Sequence, residues 1–507
     1  MNSIIDALTT ENDIIEKNDD TTADFNDYAS NLQSDYEIEE IDTSNIKPDA
    51  NFTDLLQDML VKDLLSPTFI EGQGFRNLTW TLSGNASSPT RRQMDIGIIK
   101  MYDELFTAVS EKIKPHSQKN NFSLGIELWQ NSDKRNLMSI YYNYVSVDPE
   151  PILNNVLFKT IDLAKLEIIH EAFEDFDLKN CTGVVSNVED NRVLEFFAAK
   201  DVPVTLCFEA IISRCLQSAF SSHSMVILLE EIVDYFEKSE IICDSTPDIL
   251  EEYPWTKYNA LKCFYDNVSW TAETNEMLIK AKGIIDCITP LKVTLETLSD
   301  EQMPLSSLIK PLTLQLMEQY FCAYECDIEI VLEVKEKINQ ELTQSVLSSD
   351  FLTECTFLDP RFHQRFIDPD GIQTVRNNFM AKILKTDDFE LKQFKVENLS
   401  STRKSSLTLF FNKPDQKPTK INARSTLEVE LTKYVSDAFA DLEQCPLMWW
   451  EEVGYIYRNL KKIAEKYVCM PCCVNLLFKK GIDEQIEFVN RRHMLSTKYV
   501  RTLWFLH

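Results

Sequence analysis

A block of β-rich runs between residues 122 and 215 constrains the fold of this chain most strongly, because the pattern on either side of it is helical. The runs FSLGIELW, LMSIYYNYVSV and ILNNVLFKTI combine aromatic and β-branched residues and are separated by short turn signals, which is typical of strands. A helical pattern over residues 163–176 follows, and CTGVVS and DVPVTLCF are two more strand candidates with a helix between them. This order of three strands, helix, strand, helix and strand predicts an α/β fold.

Helical patterns flank this block. Residues 54–121 are predicted to form a helical N-terminal region, and residues 216–440 an all-α domain. One face of a helix in the N-terminal region is predicted to carry Ile98, Tyr102, Leu105 and Phe106. Within the all-α region, residues 386–425 are polar, rich in Lys, Ser and Thr and interrupted by prolines, so we expect a long linker there.

The charge of the chain is concentrated at its N-terminus. The 507 residues have a net charge of −30, and residues 1–53 contribute much of it. This stretch is rich in Asp, Glu, Asn and Thr and poor in apolar residues, so we predict an acidic disordered tail. Such charge repels phosphate, which disfavours nucleic-acid binding through bulk charge, although a local basic face could still bind. The sequence has neither a membrane-spanning apolar run nor a signal peptide, so we expect no membrane partner and no secretion.

The last residues of the chain combine two helical patterns with a heavy aromatic load. Residues 453–468 carry an apolar stripe at helical spacing, and Ser496 is predicted to cap a terminal helix. The segment also contains Trp449, Trp450 and Trp504. Large aromatics in such a segment either pack within a C-terminal lobe or bury against a partner, and the sequence leaves both readings open.

This C-terminal segment resembles the dimerisation region of hAT-family transposases. Both have a Pro-Leu-x-Trp-Trp opening, a helix, a proline, a Phe-containing block ending in Gly, an Arg-rich turn and a Leu-Ser helix. The matching residues, in order, are Pro446, Leu447, Trp449, Trp450, Ala464, Tyr467, Pro471, Phe478, Gly481, Arg491, Arg492, Leu495, Ser496 and Leu506. The run Phe357-Leu-Asp-Pro-Arg-Phe362 matches a second family signature, which we interpret as structural because Arg361 can pair with Asp359.

The resemblance implies an RNase H-like core interrupted by a large all-α insertion domain. The first part of the core would lie in residues 122–215, the insertion in residues 216–440, and the dimerisation region that completes the core in residues 441–507. Family dimers bury apolar side chains of this last region, so we expect a homodimer. The residues expected in or beside the interface are Trp449, Trp450, Leu460, Ile463, Tyr467, Leu503, Trp504 and Leu506.

The carboxylates that a transposase of this family needs are not retained. Such enzymes cut DNA with two metal ions, which three converging acids hold. The resemblance places Glu127 at the position of the first Asp and Ser186 at the second. The block that should carry the third acid, after Pro471, is shorter and contains none, and Ala210 replaces the family histidine. We therefore predict that catalysis is lost and that no metal or cofactor is bound.

Nucleic-acid contact has less support in the sequence. The zinc finger that often precedes this family cannot form, because the first 120 residues contain no cysteine and a single histidine. The 13 cysteines show no disulfide framework, and core or loop thiols explain them better than zinc sites at 322–326 or 469–473. Trp255 matches a family tryptophan linked to DNA ends, but Pro254 replaces the preceding arginine, which favours a core position. The remaining candidates form a basic set that a solvated surface also explains: Lys479, Lys480, Arg491 and Arg492.

These patterns together predict a catalytically inactive, hAT transposase-like protein that dimerises in the nucleus and holds a protein partner in a transcription or chromatin complex. Three alternatives remain at the level of sequence. The first is an active cut-and-paste transposase, the second a DNA-binding transcription regulator, and the third a decaying genomic copy without a selected role. The lost acids argue against the first alternative, and the absent finger and the negative charge argue against the second.

Overall fold

The computed structural model describes residues 50–82, 88–146, 151–163, 168–239, 254–385, 423–475 and 482–507. The predicted acidic tail and linker therefore lie outside the described residues, except for the last four residues of the tail and the last three of the linker. Helices begin at Ala50 and Ala423, so both predicted segments extend too far by those few residues. Differences of this size are normal at helix ends, where the first turn frays.

Among the described residues, three α-helices precede the sheet, in the region that the sequence predicts to be helical: α1 (Ala50–Lys62), α2 (Gln73–Leu82) and α3 (Arg91–Lys119). Thr90 caps α3, because its hydroxyl accepts the Gln93 N–H while the Gln93 side chain accepts the Thr90 N–H. On α3, Ile98 and Tyr102 are buried as predicted. The prediction is wrong for Leu105, which is 41% exposed because its side of the helix is left to solvent.

Five strands form one mixed sheet in the order β3-β2-β1-β4-β5. The strands are β1 (Phe122–Gln130), β2 (Asn136–Ser146), β3 (Ile152–Asp162), β4 (Cys181–Ser186) and β5 (Val204–Leu206). β1, β2 and β3 are antiparallel neighbours, whereas β4 runs parallel to β1 and β5 runs parallel to β4. Helix α4 (Ile168–Phe173) precedes β4 and α5 (Asn191–Ala198) precedes β5. The α/β fold class and the predicted order of strands and helices are confirmed.

The two faces of β1 bury different partners, because successive side chains of a strand point to opposite sides. Phe122, Leu124 and Ile126 belong to one apolar cluster with Ile113 of α3. On the other face, the Ser123 hydroxyl donates to the Cys469 carbonyl at 2.7 Å. A Cβ added to Gly125 would lie 2.5 Å from the Val474 carbonyl oxygen, so the C-terminal part of the chain crosses this face in close contact.

Residues 469–475 form a connecting segment, which we call the strap, between the sheet and the helices. Its carbonyl groups accept hydrogen bonds from separate elements, including the Ser306 N–H at Met470 and the Phe208 N–H at Cys472. The Asn155 amide of β3 donates to the Val474 carbonyl at 3.0 Å. Because a buried backbone carbonyl is costly to leave unpaired, these bonds fix the path of the strap across the molecule.

Several of the helices that follow β5 share an apolar core with the sheet. In the described residues the helices between β5 and the C-terminal region are α6 (Phe208–Phe220), α7 (His223–Ser239), α8 (Pro254–Asn267), α9 (Asn275–Asp300), α10 (Ile309–Gln319), α11 (Glu329–Leu342), α12 (Asp350–Leu358), α13 (Pro369–Lys385) and α14 (Ala423–Ser436). Tyr141 and Val185 of the sheet share one apolar cluster with Leu278 of α9 and Ile338 of α11. The core of the all-α region is therefore continuous with one side of the sheet.

The C-terminal helices before and after the strap pack on different parts of the chain. Its helices are α15 (Pro446–Val453), α16 (Arg458–Tyr467), α17 (Ile482–His493) and α18 (Thr497–Leu506). Helices α15 and α16 share an apolar cluster with α12, α13 and α14, and the Trp450 indole N–H donates to the Leu358 carbonyl at 2.9 Å. Helix α18 packs instead on β3 and α3, where Phe505 contacts Tyr102 at 5.1 Å between ring centroids.

The predicted structural role of the Phe357–Phe362 signature is confirmed. The Arg361 guanidinium donates to both Asp359 carboxylate oxygens, at 2.9 and 2.8 Å, and both side chains are buried. The Ser307 hydroxyl donates to the same carboxylate at 2.6 Å. Buried charge is tolerated when it is paired and hydrogen-bonded, and here the pair closes the end of α12 against the preceding loop.

We expect Gly125→Ala to lower the free energy of unfolding by about 1–3 kcal/mol, because the added methyl group displaces the strap from the sheet. Urea unfolding followed by circular dichroism measures this change. Gly74 of α2 provides the matched control, since a Cβ there would have no atom within 4 Å. Gly74→Ala should stabilise the chain by about 0.4–1 kcal/mol, and equal effects at the two glycines would contradict a tight strap.

Candidate functional site

Glu127 of β1 lies in a buried polar cluster beneath the strap. Its side chain is 8% exposed, and a single carboxylate oxygen, Oε2, accepts three hydrogen bonds. The Arg492 guanidinium donates at 2.7 Å, the Tyr141 hydroxyl at 2.9 Å and the Asn475 amide at 3.3 Å. These donors come from α17, β2 and the strap, so the cluster joins residues that are up to 365 positions apart.

The end of β1 that carries Glu127 is fixed to β4 by an amide side chain. Asn187 follows β4 directly, and its side chain both accepts the Leu128 N–H at 2.8 Å and donates to the Leu128 carbonyl at 2.9 Å. This pair of hydrogen bonds takes the place of a regular strand contact beyond the end of β4. The backbone next to Glu127 is therefore held in place independently of the contacts that the Glu127 side chain makes.

Arg492 is the cation of this cluster and is almost wholly buried, with 2% of its surface exposed. Its guanidinium carbon lies 4.2 Å from the ring centroid of Trp129 and 4.7 Å from that of Trp504. Contact with aromatic faces partly replaces the water that a guanidinium loses on burial. The indole N–H of Trp129 in turn donates to the Ser139 hydroxyl at 3.0 Å, which fixes the orientation of one ring.

The pKa of Glu127 lies below its ordinary value. Burial alone would raise the pKa, but the charge of Arg492 and the hydrogen bonds from Arg492, Tyr141 and Asn475 outweigh it. Glu127 is therefore an ionised carboxylate at neutral pH whose positive partner belongs to the protein itself. A group held in this way is poorly suited to exchange a proton or to take up a metal ion, since Arg492 already neutralises its charge.

A second carboxylate, Glu209, lies close enough to sense this ion pair. The pKa of Glu209 is raised to about 7, first by burial of its side chain and then by the charge of Glu127, while Arg492 partly offsets both effects. Glu209 is in the first turn of α6, directly after β5. The sequence analysis considered the neighbouring Ala210 and missed Glu209, although a carboxylate directly after the predicted strand DVPVTLCF is a signal that could have identified it.

Ser186 and Ala210 occupy the other two positions that the resemblance matches to catalytic residues. Neither brings an acidic side chain to Glu127. Ser186 pairs with Ile126 in the sheet and is buried, but its hydroxyl donates to the Val188 carbonyl at 2.8 Å and so closes its own turn. The Ala210 N–H donates to the Cys207 sulfur at 3.4 Å, which caps the start of α6. Both positions therefore serve local backbone structure.

The structure corrects one of the candidate nucleic-acid contacts, Arg492, and confirms the core position that the sequence favours for Trp255. Arg492 was expected on a basic surface and is instead buried against Glu127, because the carboxylate and the two indoles offset the loss of water. Trp255 is 4% exposed and packs edge-on against Tyr258 at 5.8 Å, so its ring cannot stack on a base. Arg491 is exposed and lies 3.6 Å from Asp63. Lys479 and Lys480 lie outside the described residues.

The residues expected at a dimer interface are mostly buried within the single chain. Those buried are Trp449, Trp450, Leu460, Ile463, Tyr467, Leu503 and Trp504, and Leu506 is half-buried. Trp449 and Trp450 pack edge-on at 5.0 Å, and Trp450 stacks on Tyr434 at 5.4 Å. Of the two explanations for the aromatic load, packing within the chain is therefore correct for these side chains, and the homodimer itself stays a prediction.

Across the described residues, no three His, Cys, Asp or Glu side chains converge into a group that could hold a metal ion. Cys322 and Cys326 are exposed in a loop, whereas Cys469, Cys472 and Cys473 are buried in the strap. Burial raises the pKa of the Cys469 thiol to about 12, so it is protonated at neutral pH. No helix among the described residues is long and apolar enough to cross a membrane.

Comparison with known proteins provides no relative: no family model and no curated protein matches the chain. The function proposed below therefore depends on the geometry around Glu127, on the strand order and on the sequence resemblance.

We expect Arg492→Met to lower the free energy of unfolding by about 3–5 kcal/mol at pH 8, because Glu127 is then left buried without its cation. In the wild type the pKa of Glu127 is lowered, so its contribution to stability is present above its unfolded pKa and disappears as the pH falls. In the variant burial raises that pKa, so the deficit should shrink at pH 5, where the carboxyl can take up a proton. Urea unfolding at the two pH values measures this.

Arg491→Met is the matched control for this experiment. Arg491 is the adjacent arginine, but its side chain is 41% exposed and its carboxylate partner is at the surface. Its replacement should change the free energy of unfolding by less than about 1 kcal/mol at either pH. A similar loss for both arginines, or a loss for Arg492→Met that does not depend on pH, would contradict the buried ion pair.

Glu209→Gln should stabilise the chain at pH 8 by about 1 kcal/mol and leave it nearly unchanged at pH 5. The pKa of Glu209 is raised in the folded chain, so ionisation above its unfolded pKa destabilises the folded state as the pH rises towards 7 and beyond. Glutamine has nearly the same shape but no charge, so the substitution removes this destabilisation. Thermal unfolding at both pH values tests it, and an equal shift at both would show that the pKa of Glu209 is not raised in the folded chain.

Proposed function

We propose that this chain is a catalytically inactive, hAT transposase-like protein that dimerises in the nucleus and binds a protein partner in transcription or chromatin regulation. One observation carries the loss of catalysis. The carboxylate at the position of the first metal-binding acid, Glu127, is already neutralised by Arg492 at 2.7 Å. The same guanidinium contacts two indoles and is 2% exposed, so it is a structural part of the cluster and not a mobile surface group.

The sheet supports the RNase H-like part of this proposal. Three antiparallel strands followed by two strands parallel to the first, in the order β3-β2-β1-β4-β5, fit the core that the resemblance implies. The position assigned to the first acid lies near the end of the central strand β1, next to the end of β4. This places the sequence-matched positions Glu127 and Ser186 on adjacent strands.

The chemistry of the cluster explains why cleavage would fail. A two-metal reaction needs several carboxylates around divalent ions that hold the attacking water and the leaving oxygen. Ser186 offers a neutral hydroxyl that is already bonded to Val188, and Ala210 offers no ligand. A divalent ion that approached Glu127 would meet the positive charge of Arg492 at hydrogen-bond distance. Electrostatic repulsion and the missing ligands therefore act in the same direction.

The binding role is supported by charge and by the resemblance. A net charge of −30 disfavours contact with DNA through bulk attraction, so a protein partner fits the chain better than a nucleic acid does. The nuclear location and the homodimer follow from the resemblance to hAT-family transposases. Fixed packing of the C-terminal helices on the rest of the chain would give such a binding protein a rigid surface.

We expect the purified chain not to nick supercoiled DNA in Mg²⁺ or Mn²⁺, because no three carboxylates among the described residues converge to hold the ions. Agarose gel electrophoresis of the plasmid after incubation, beside a nuclease of known activity as positive control, gives the readout. Glu127→Ala is the comparison that separates this chain from a contaminant. Metal-dependent nicking by the wild type that disappears in Glu127→Ala would overturn the proposal, whereas nicking unchanged in the variant would indicate a contaminating nuclease.

A further inference from the structure

Two loops of the all-α region lie close together at one end of its helices. Residues 268–274 connect α8 with α9, and residues 320–328 connect α10 with α11. A Cβ added to Gly283 of α9 would lie 3.8 Å from the side chain of Ile328, the last residue of the second loop. The second loop therefore packs against the first three turns of α9, which begin where the first loop ends.

Exposed aromatic side chains lie on both loops. Trp270 of the first loop is 54% exposed, and its ring centroid is 6.4 Å from that of Tyr265 at the end of α8. In the second loop, Tyr320 is 46% exposed and Tyr324 is 50% exposed. Ile279, on the face of α9 that the second loop approaches, is 44% exposed. We call the surface that carries these side chains the loop-end surface. Several aromatic side chains left in water are typical of a surface that binds a partner.

The second loop holds Tyr324 in a fixed position. Lys335 of α11 is buried, and its ammonium group donates to the Cys322 carbonyl at 2.9 Å and to the Asp327 carboxylate at 2.7 Å. The same ammonium lies 4.5 Å from the ring centroid of Tyr324. The Asp327 carboxylate also accepts the Tyr324 N–H at 2.8 Å. A partner would therefore meet a preformed surface and would not need to order this loop.

The loop-end surface lies in a part of the chain with a surplus of negative charge. Residues 262–286 and 318–337 contain ten acidic residues and five lysines. Three of the lysines form ion pairs within these segments, at 2.6 to 3.2 Å: Lys280 with Glu276, Lys282 with Asp286 and Lys335 with Asp327. Seven acidic residues then remain against Lys262 and Lys337. The seven, all exposed except the half-buried Glu333, are Asp266, Glu273, Glu318, Glu325, Glu329, Glu333 and Glu336.

This combination of aromatic rings and carboxylates selects the chemistry of a partner. A basic segment of another protein would pair its lysine or arginine side chains with the remaining carboxylates. Aliphatic side chains of that segment would cover the rings of Trp270 and Tyr324. A nucleic acid or an acidic segment would instead meet like charge. The carboxylates would favour encounter with a basic partner, and the rings would supply most of the affinity.

We propose that the loop-end surface binds a basic segment of a partner protein that also carries aliphatic side chains. The inference rests on the protein partner in the proposed function, and it adds the place where that partner binds and the chemistry of the segment that is recognised. The N-terminal and C-terminal helices take no part in this contact.

Fluorescence anisotropy with two labelled synthetic peptides tests the aromatic part of the proposal. One peptide alternates pairs of lysines with single leucines, and the other has serines in place of the leucines. The leucine peptide should bind the wild-type chain more tightly, because only its side chains can cover the rings. Trp270→Ser should weaken binding of the leucine peptide about tenfold and leave the serine peptide nearly unchanged. Trp80→Ser is the matched control, since Trp80 of α2 is 53% exposed and should affect neither peptide.

A second variant tests the charge. It combines Glu273→Gln, Glu318→Gln, Glu325→Gln and Glu329→Gln, and it should weaken binding of both peptides about tenfold at low salt. Its control removes four exposed carboxylates on α3 and directly after α4, and so makes the same change in net charge: Asp103→Asn, Glu104→Gln, Glu111→Gln and Glu174→Gln. This control should change binding by less than about twofold. Circular dichroism checks that each variant is folded.

Three results would overturn the inference. Equal losses for the two fourfold variants would show that the peptides respond to the overall charge of the chain. Binding of the leucine peptide that Trp270→Ser leaves unchanged, or that is no tighter than binding of the serine peptide, would reject the aromatic contact. Each of these results leaves the plasmid assay of the proposed function unaffected. Metal-dependent nicking in that assay would overturn the proposed function and leave the peptide measurements as they are.

Discussion

The structure depends on the strap, seven residues whose backbone is hydrogen-bonded on all sides by other parts of the chain. Its carbonyls receive donors from β1, β3, the loop before α10 and the first turn of α6, and its close approach to the sheet requires a glycine in β1. Helices α15 and α16 on one side of it pack with α12 to α14, while α18 on the other packs with β3 and α3. The strap is therefore one of the connections that join these two apolar cores. Buried backbone polar groups accept few alternatives, which is why so short a segment can hold the larger elements together.

The ion pair beneath the strap is a different kind of constraint. A guanidinium and a divalent ion both neutralise a carboxylate, but the guanidinium is planar, carries one charge and brings its donors on a fixed side chain. Here two indoles cover its faces and a tyrosine hydroxyl shares its carboxylate partner. Buried pairs of this type contribute little net stability compared with apolar residues of the same volume, yet breaking one is costly. The pair therefore contributes to the specificity of the fold, because it allows the end of α17 to pack against β1 in only one position.

The fold was predictable to the extent that local patterns determine it. Apart from β5, the strands are six to eleven residues long. The pattern that identifies each strand lies in a few neighbouring residues, so the order of the strands could be predicted directly from the sequence. The partner of Glu127 could not, because Arg492 lies 365 residues away in a run, Arg-Arg-His, that looks like a solvated basic turn. The same limit applies to Tyr141, Asn475 and Glu209, whose roles arise when distant segments meet. Periodicity indicated that the α16 stripe is apolar, but it did not show which aromatic side chains before that helix remain in water. Trp449 and Tyr455 could therefore not be told apart.

The separation of Glu127 and its partners in the sequence also determines when their contacts can form during synthesis of the chain. A ribosome that adds about 5–20 residues per second needs roughly 20–70 s to travel the 365 residues from Glu127 to Arg492. During that interval the face of β1 that the strap later covers has neither its backbone partners nor its cation, although the five strands and most helices have already emerged. The nascent chain therefore carries an uncovered sheet face with an unpaired carboxylate until the strap and Arg492 have emerged. A premature stop just before the strap would leave that face and that carboxylate without their partners, although all five strands would be present.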